Sequence, residues 1–413
     1  MRAYRMRVHR IYLIAGEASG DMHGAALIRE LKGLYPEARL RGWGGDMMEE
    51  AGMELVRHYR ETAFMGFVEV ARNLPTVLKL LREAGEDLRN FDPEMLVLID
   101  YPGFNLRMAR FAQRLRCKVV YYISPQLWAW KENRIRTVRQ CVDLMLCILP
   151  FEEAWYAQRG VQARYVGHPL ADTCFPLSAE SRIAVRNQLC SDPGCRIGPE
   201  TKWVALLPGS RKQEVRMHLP VMLEAVRSLP DTVAVVAMAP GLDSEFYRQF
   251  GGQPAPATRA SLERSPTTKD DKGPGVVWLG GRTRDILGCA DAALVASGTA
   301  TLEAALLDCP LVAVYRVNAL SYLIGKALVK VPYVSLVNLI LDREAVPERL
   351  QDRMNPGQLA QDLLTLQDPS SAAASAQHLA FAELRRCLAP SDHRSASARA
   401  AAHIANSGLF SPT

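Results

Sequence analysis

Short, continuous runs of apolar residues, separated by longer stretches with helical spacing, constrain the fold of this chain more than any other feature. A strand covered on both faces of a parallel sheet is apolar throughout, whereas a half-exposed strand alternates apolar with polar residues. The runs are Ile11–Ala15, Met95–Ile99, Val119–Ile123, Leu144–Ile148, Tyr165–Val166, Trp203–Leu207, Val233–Met238, Val276–Leu279, Ala292–Ala296 and Leu311–Tyr315. They predict an α/β protein built from βαβ units.

With 413 residues the chain is long enough for two such domains. A boundary is predicted after His168-Pro169, because a Pro/Gly-rich stretch at 192–199 precedes a fresh strand, loop and helix that begin at Trp203. We predict Rossmann-like domains over 1–170 and 171–368, and an Ala/Ser-rich helical segment over 369–413. Two doubly wound domains are expected to face each other across a cleft, with ligands outside the carboxyl ends of the strands.

Charge and cysteine content restrict the partners. Lysine and arginine exceed aspartate and glutamate by six, a mild excess that suits an anionic substrate or membrane surface. No basic stretch is interleaved with aromatic residues as in RNA-binding proteins, so no nucleic acid is expected. The nine cysteines form no CxxC pair, which favours a reducing cytoplasm and gives little support to a metal site.

Membrane insertion is not expected either. There is no run of about 20 apolar residues of the kind a transmembrane helix needs. The apolar stretch behind the basic N terminus, Ile11 to Ala15, is too short for a signal peptide. A soluble or membrane-peripheral protein is therefore expected.

The second domain contains a candidate anion site. The strand ending at Ala296 leads through Ser297–Glu303 into an apolar helix. Gly298 permits a tight turn, and the next three backbone N–H groups can point at an anion near the positive end of the helix dipole. Those three residues are Thr299, Ala300 and Thr301. Glu303 could accept hydrogen bonds from ribose hydroxyls. The alternative is helix capping with Thr299 as the cap, although Glu303 then falls outside a capping box.

A second strand-to-helix turn spans Leu206–Val215 and begins with Pro208-Gly209. Ser210 and Gln213 fit a capping box, which favours a structural role for those two. Arg211 would place a positive charge at the positive end of a helix, which is unfavourable unless an anion such as a diphosphate binds there. Further candidates for this basic pocket are Arg282 and Arg284, although at least one of them is expected to lie in a solvated loop.

Carboxylates follow two strands of the first domain. Asp100 precedes Pro102-Gly103, which favours a type II turn that would hold the carboxylate where ligands bind. There it could accept a proton from a substrate hydroxyl, although an Asx-turn or a buried ion pair explains it equally well. The opening loop carries Glu17 and Asp21 but lacks the dinucleotide fingerprint. These carboxylates suit sugar hydroxyls better than phosphate, and Asp21 could simply cap the next helix.

Two other stretches leave alternatives open. Trp128 and Trp130 could stack on sugar or meet lipid, and the basic residues after them could meet a phosphate; core tryptophans and a solvated helix face explain both equally well. The basic residues are Arg134, Arg136 and Arg139. Phe64–Leu81 has apolar and basic residues at mixed helical spacings, as a membrane-surface helix does. An amphipathic core helix is its default interpretation.

A series of stretches in a fixed order resembles the lipid-A-disaccharide synthase family. They are AGEASGD (15–21), GWGG (42–45), MGFVEV (65–70), IDYPGFN (99–105), YYISPQLWAWKENRI (121–135), VGHPLAD (166–172), LPGSRKQEV (207–215), ASGTATLEAAL (296–306) and YVSLVNLI (333–340). The resemblance implies the two-domain GT-B glycosyltransferase fold. It also implies inverting transfer from UDP-2,3-diacylglucosamine to 2,3-diacylglucosamine 1-phosphate, giving a β-1,6 disaccharide 1-phosphate and UDP without a metal or cofactor.

The resemblance also assigns roles to the candidate residues. Asp100 becomes the general base, and it is the stronger candidate because Gly103 stands where some members carry a second aspartate. The implied UDP site consists of Gly209, Ser210, Arg211, Gly298, Thr299, Ala300, Thr301 and Glu303. Phe64–Leu81 would contact the cytoplasmic face of the inner membrane of a Gram-negative-type bacterium, and a homodimer is possible.

Two other functions fit the same scaffold. An isomerase of the UDP-N-acetylglucosamine 2-epimerase type would use a UDP site but would not need the apolar stretch Phe64–Leu81. A non-catalytic UDP-sugar or lipid-binding protein is the other alternative. The presence of Asp100, Arg211 and Glu303 together argues against it.

Overall fold

The structure, a computed structural model, describes residues 8–61, 74–189, 201–251, 261–263, 275–318, 322, 331–388, 392 and 394–409. The chain divides into two compact units, Met1–Asp172 with Leu388–Thr413 and Thr173–Cys387. Within the described residues each unit contains one seven-stranded sheet covered by helices. The predicted α/β class with two parallel-sheet domains is confirmed.

The sheet of the first unit is parallel throughout, in the order β3-β2-β1-β4-β5-β6-β7. Its strands are β1 (Arg10–Ala15), β2 (Arg39–Gly44), β3 (Glu54–His58), β4 (Met95–Ile99), β5 (Lys118–Tyr122), β6 (Leu144–Cys147) and β7 (Ala163–Tyr165). The α-helices of this unit are Ala18–Leu34, Asp46–Glu50, Leu74–Phe91, Pro102–Gln113, Ile135–Cys141, Glu152–Ala157 and Ala396–Ala405. The strand order reverses between β1 and β4, so the loops after these two strands lie side by side.

The sheet of the second unit has the order β10-β11-β9-β8-β12-β13-β14, and only its edge strand β10 is antiparallel to its neighbour. Its strands are β8 (Lys202–Leu207), β9 (Thr232–Met238), β10 (Ser261–Glu263), β11 (Val276–Gly280), β12 (Ala292–Ala296), β13 (Leu311–Tyr315) and β14 (Glu348–Leu350). The α-helices are Ala179–Leu189, Lys212–Arg227, Ser244–Arg248, Thr283–Cys289, Thr299–Leu306, Leu336–Leu341, Pro356–Leu366 and Ala372–Leu388. Here the order reverses between β8 and β12.

Every apolar run that predicted a strand is a strand, and β4, β12 and β13 have the predicted bounds. Each of these three strands pairs on both sides, and all five residues of β4 are completely buried. The strands that the pattern missed include β3 and β14 at the edges of the sheets, where partly exposed residues replace the apolar run. The missed strand β2 contains two arginines and two glycines.

The C-terminal residues are divided between the two units. The sequence treats 369–413 as one segment, whereas helix Ala372–Leu388 belongs to the second unit except for its last residue. Helix Ala396–Ala405 packs on helix Ala18–Leu34 and buries Ile404 in the core that also contains β1. The apolar face of this last helix therefore completes the core of the first unit. The composition of the segment does not predict which unit the helix packs against. No helix among the described residues is long and apolar enough to span a membrane.

Candidate functional site

Asp100 lies at the carboxyl end of β4, beside the loop that follows β1. Asp100 and Tyr101 both adopt left-handed backbone conformations, with φ of 46° and 50°. Helix Pro102–Gln113 begins directly afterwards, so the predicted type II turn is wrong. The fixed φ of Pro102 suits the first position of a helix, and two left-handed residues redirect the chain into it.

Three hydrogen bonds fix the backbone at Asp100. Its N–H donates to the carbonyl oxygen of Tyr122 at 3.0 Å. Its carbonyl oxygen accepts from the Tyr121 hydroxyl at 2.6 Å and from Asn105 Nδ2 at 2.8 Å. Asn105 and Tyr121 are fully buried, so the base of the turn is rigid.

The electrostatic surroundings of Asp100 favour its neutral form more than water does. Burial and the negative charge of Glu17 together raise the pKa of its carboxyl to about 6, although a hydrogen bond from the Tyr101 backbone opposes the shift. Asp100 therefore combines a fixed backbone with a carboxyl pKa close to neutral pH, which suits general-base chemistry.

The opening loop packs against this turn through Gly16. A Cβ atom built on Gly16 would lie 2.3 Å from Cδ1 of Tyr101, so any larger residue would displace the tyrosine ring. The stretches 15–21 and 99–105, far apart in sequence, thus form one packed unit at the reversal point of the first sheet.

Asp21, predicted on the opening loop, lies in the first turn of helix Ala18–Leu34 and has a structural role. The side chain is buried and its carboxylate accepts hydrogen bonds from three backbone N–H groups. The donors are Gly45 at 2.8 Å, Met48 at 3.0 Å and Met47 at 3.2 Å. Asp21 therefore caps helix Asp46–Glu50 from within helix Ala18–Leu34, so it is a capping residue, but not of the helix that follows the opening loop.

Two histidines near the opening loop are held neutral. Burial lowers the pKa of His23 to about 4, and burial together with the nearby His23 lowers the pKa of His168 to about 3. His168 Nδ1 accepts a hydrogen bond from the Leu170 N–H at 3.2 Å. Sequence reasoning left His23 as an alternative base and did not predict either lowered pKa, since a lone histidine carries no pattern of its own.

The loop after β5 is anchored by a buried carboxylate. Glu152 is 1% exposed and accepts hydrogen bonds from Trp128 Nε1 at 2.9 Å and from the Leu149 N–H at 3.1 Å. Burial raises the pKa of Glu152 to about 7. Trp128 is thus fixed by Glu152, which sequence reasoning missed because the two residues are 24 positions apart.

In the second unit, the loops after β8 and β12 lie side by side. Helix Lys212–Arg227 is capped at Arg211, and the Glu214 carboxylate accepts from the N–H groups of Ser210 at 3.0 Å and Arg211 at 3.3 Å. The predicted pairing of Ser210 with Gln213 is wrong, because the helix begins one residue later than expected. Gly209 has φ of 118° and lies against Glu214, where a Cβ atom would come within 2.5 Å of the carboxylate.

The Arg211 side chain is 77% exposed and its Nη1 lies 3.5 Å from Glu214 Oε1. Because Glu214 Oε2 already accepts from two backbone N–H groups, the carboxylate neutralises Arg211 only in part. The guanidinium can therefore turn toward an anion.

The neighbouring turn after β12 begins at Gly298, which is the N-cap in place of Thr299. Thr301 donates its N–H to the Gly298 carbonyl oxygen at 3.2 Å and its hydroxyl to the same oxygen at 2.8 Å. The N–H groups left to face an anion are therefore those of Thr299 and Ala300, at the start of helix Thr299–Leu306.

Glu303 is held at this turn by an arginine. Its Oε1 accepts from Arg284 Nε at 2.8 Å, whereas Oε2 accepts no hydrogen bond from a described residue. Arg282 forms an ion pair with Asp285, so only Arg284 contacts the predicted site. One Glu303 oxygen is thereby positioned and the other remains able to accept hydrogen bonds.

The stretch 333–340 supports the same turn. The Ser297 hydroxyl donates to the Val334 carbonyl oxygen at 2.7 Å. Glu348 accepts from the Val334 N–H at 3.0 Å and from Nδ2 of the buried Asn338 at 2.9 Å. Val337 is fully buried.

The amphipathic stretch Phe64–Leu81 is described only in part, since 62–73 lie outside the described residues. Its end forms the first turns of helix Leu74–Phe91, where Val77 and Leu80 are buried. Leu78 is 58% exposed and Lys79 is also exposed. The described portion thus has a core-facing side and an outward apolar leucine.

Comparison with known sequences identifies the chain. A model of the lipid-A-disaccharide synthetase family matches residues 11–403. The lipid-A-disaccharide synthase of Myxococcus xanthus is 39% identical over 360 residues, which cover 86% of this chain and 87% of the relative. That of Anaeromyxobacter dehalogenans is 40% identical over 383 residues, covering 92% and 93%. The chain belongs to the lipid-A-disaccharide synthase family.

Solved structures establish the GT-B fold of this family member. The Anabaena protein HepE, in complex with UDP and glucose, has a TM-score of 0.53 at 12% identity over 97% of this chain and 99% of that chain. A putative UDP-N-acetylglucosamine 2-epimerase from Listeria monocytogenes has a TM-score of 0.57 at 12% identity over 98% of each chain. The calicheamicin glycosyltransferase CalG4 has a TM-score of 0.54 at 14% identity over 99% and 98%.

Membership of the lipid-A-disaccharide synthase family defines the activity as glycosyl transfer that forms the lipid A disaccharide. The epimerase alternative is not favoured, because the epimerases found resemble this chain only at the level of the fold, at 10–14% identity.

Proposed function

We propose that this chain transfers 2,3-diacylglucosamine from its UDP-linked donor to the 6-hydroxyl of 2,3-diacylglucosamine 1-phosphate, with inversion at the anomeric carbon. The observation that supports this most is the family match over residues 11–403, which includes the loops at both strand-order reversal points. The products are the β-1,6-linked disaccharide 1-phosphate and UDP.

The first unit supplies the base in this proposal. Asp100 accepts the proton of the acceptor hydroxyl while that oxygen attacks the anomeric carbon of the donor. The C1–O bond to the diphosphate breaks in the same displacement, so an α-linked donor gives a β-linked product. The rigid turn around Asp100 and its pKa near 6 support this role.

The second unit binds UDP in this proposal. The N–H groups of Thr299 and Ala300 and the exposed guanidinium of Arg211 are positive groups that can stabilise the departing diphosphate. The free oxygen of Glu303, positioned by Arg284, can accept hydrogen bonds from the ribose hydroxyls. Gly209 and Gly298 allow the ligand to approach the backbone closely.

Release of UDP from acylated and unacylated substrates tests the proposed function. We expect UDP and a disaccharide when both acylated substrates are present, and neither product from UDP-N-acetylglucosamine with glucosamine 1-phosphate. Conversion of UDP-N-acetylglucosamine to its 2-epimer would instead indicate an isomerase. Binding of UDP without turnover of any of these substrates would indicate a binding protein.

We further propose that Phe64–Leu81 contacts the inner membrane from its cytoplasmic face, because the acyl chains of both substrates lie in the bilayer. Replacement of Phe67, Val68 and Leu78 together by serine should weaken cosedimentation with liposomes while the melting temperature stays close to that of the parent protein. The exposed Leu78 and the neighbouring Lys79 support this expectation.

A matched control removes an exposed apolar side chain elsewhere. Leu379 is 73% exposed on helix Ala372–Leu388, so Leu379→Ser should leave liposome binding unchanged. Equal losses in both variants, or no loss in the triple variant, would contradict a specific membrane contact at Phe64–Leu81.

A further inference from the structure

A cluster of basic side chains lies on two adjacent helices of the first unit. Helices Pro102–Gln113 and Ile135–Cys141 are in contact, and Arg110 Nη2 donates to Thr137 Oγ1 at 2.6 Å. Arg107 lies three residues before Arg110, and Arg134 lies three residues before Thr137. Both helices follow the carboxyl ends of their strands, so these two arginines lie toward the same edge of the sheet as Asp100.

The side chains of the cluster are directed by nearby groups. Arg107 Nη1 donates to the Gly103 carbonyl oxygen at 2.7 Å, which turns its guanidinium back toward the first turn of the helix. Lys131 Nζ lies 4.3 Å from the Trp130 ring centroid, and Arg134 Cζ lies 6.0 Å from the same centroid. Trp130 thus holds two of the cations side by side.

The positive charges within this cluster repel one another. The pKa of Lys131 is lowered by burial and then by Arg134 and Arg107, and the pKa of Arg134 is lowered by burial and then by Arg107. No carboxylate of a described residue lies within ion-pair distance of Arg107 or Arg134. Glu132, the acidic residue nearest in sequence, pairs with Arg159 at 2.8 Å. A bound anion would remove this repulsion.

Tyr121 connects the cluster to the proposed base. Its hydroxyl donates to the carbonyl oxygen of Asp100 at 2.6 Å. Burial and the charge of Asp100 raise the pKa of the same hydroxyl, and Arg134 lowers it. Asp100 and Arg134 therefore both lie close enough to this buried tyrosine to act on it electrostatically.

We propose that Arg107, Lys131 and Arg134 form a binding site for a phosphate monoester, and that the 1-phosphate of the acceptor occupies it. The identification of the ligand rests on the proposed function. The acceptor carries its attacking 6-hydroxyl and its 1-phosphate on one pyranose ring, so a base and a phosphate site on one face of one unit can engage both. Arginine and lysine are suited to this role because their donors match phosphate oxygens.

The other two basic residues of the stretch 134–139 are not part of the site. Arg139 donates to the carbonyl oxygen of Arg159, in the direction of Gly160. Arg136 is exposed and is not among the charges that lower the pKa of Lys131 or Arg134. Arg136 therefore provides a matched control, since it is an arginine two positions away from Arg134.

The test compares acceptors with and without the 1-phosphate, in detergent micelles that supply the acyl chains with a neutral surface. For the phosphorylated acceptor we expect Arg134→Ala and Arg107→Ala each to raise KM about tenfold to a hundredfold, with the KM of the UDP-linked donor unchanged. For the dephosphorylated acceptor the parent protein should already show a KM raised by the same factor, and neither variant should raise that KM further. Arg136→Ala should behave like the parent protein with both acceptors.

Other outcomes overturn the proposal. Equal effects of Arg134→Ala on both acceptors would show that the arginine does not recognise the phosphate. Loss of binding to phosphatidylglycerol vesicles in Arg134→Ala, with no change of KM in micelles, would assign the cluster to lipid headgroups.

A binding measurement separates this proposal from the proposed function. Calorimetric titration of the parent protein and of Arg107→Ala with glucosamine 1-phosphate tests the site without turnover. Weaker binding by the variant supports the phosphate site even if the parent protein releases no UDP, a result that would contradict the proposed function alone. Equal binding overturns the site even if the parent protein is active.

Discussion

Replacement of Asp100 by asparagine is expected to lower turnover by about a hundredfold or more, the usual scale for loss of general-base catalysis. Asparagine has nearly the same shape but cannot accept the proton of the acceptor hydroxyl. It also tolerates the left-handed φ of 46° found at this position, so the turn should persist. Steady-state kinetics with both acylated substrates, together with an unchanged UDP affinity and melting temperature, would establish the effect.

The pH dependence provides a second readout of the same assignment. A base works only when deprotonated, and burial with the charge of Glu17 raises the pKa of Asp100 to about 6. We therefore expect kcat/KM to fall as the pH decreases through about 6. Glu17→Gln should shift that fall to lower pH, because one of the charges that raises the pKa is removed. Near-normal turnover of Asp100→Asn would transfer the role to Glu17 or His23.

The strands could be predicted from the sequence because a strand that is buried on both faces is a continuous run of apolar residues. Met95–Ile99 is five consecutive apolar residues, and the structure buries all five. The carboxyl ends of such strands then indicate where ligands bind in a doubly wound sheet. Asp100 and Gly298 were found by this reasoning, since each stands within two residues of such an end.

The turns after these strands could not be predicted to the same level. The chain enters the helix at Pro102 through left-handed backbone conformations at Asp100 and Tyr101, and neither residue type predicts that conformation. The capping of helix Lys212–Arg227 was displaced by one residue because Glu214, and not Gln213, folds back on the preceding N–H groups. Local residue preferences predict that a cap exists but fix its register poorly.

Contacts between distant residues were the least predictable part. Asp21 was one of two carboxylates in the opening stretch, and only the fold shows that its partners are Gly45, Met47 and Met48. Arg284 and Glu303 are likewise joined only by the packing of two helices. Side-chain pairs of this kind depend on tertiary structure, which a single sequence does not specify locally.

Replacement of Arg211 by alanine is expected to weaken UDP binding roughly tenfold to a hundredfold, because a charge-assisted contact to phosphate contributes about 1.5–3 kcal/mol. The side chain is 77% exposed and has only a 3.5 Å ion pair with Glu214, so its loss should leave the melting temperature almost unchanged. Isothermal titration with UDP measures the effect directly. Arg211→Lys should restore part of the affinity, since lysine keeps the charge but not the paired donors.

The neighbouring Lys212 supplies the control for Arg211, since Lys212 Nζ lies 5.7 Å from the Phe246 ring centroid. Lys212→Ala removes the same charge from the same helix terminus and should change UDP affinity by much less than Arg211→Ala. Rising salt should reduce the difference between the parent protein and Arg211→Ala, because an exposed charge is screened over about 8 Å at physiological ionic strength. Equal UDP affinity in the parent protein and Arg211→Ala would leave diphosphate binding to the N–H groups of Thr299 and Ala300. Glu303→Gln would then become the decisive variant, because it weakens ribose recognition without altering the charge at the phosphates.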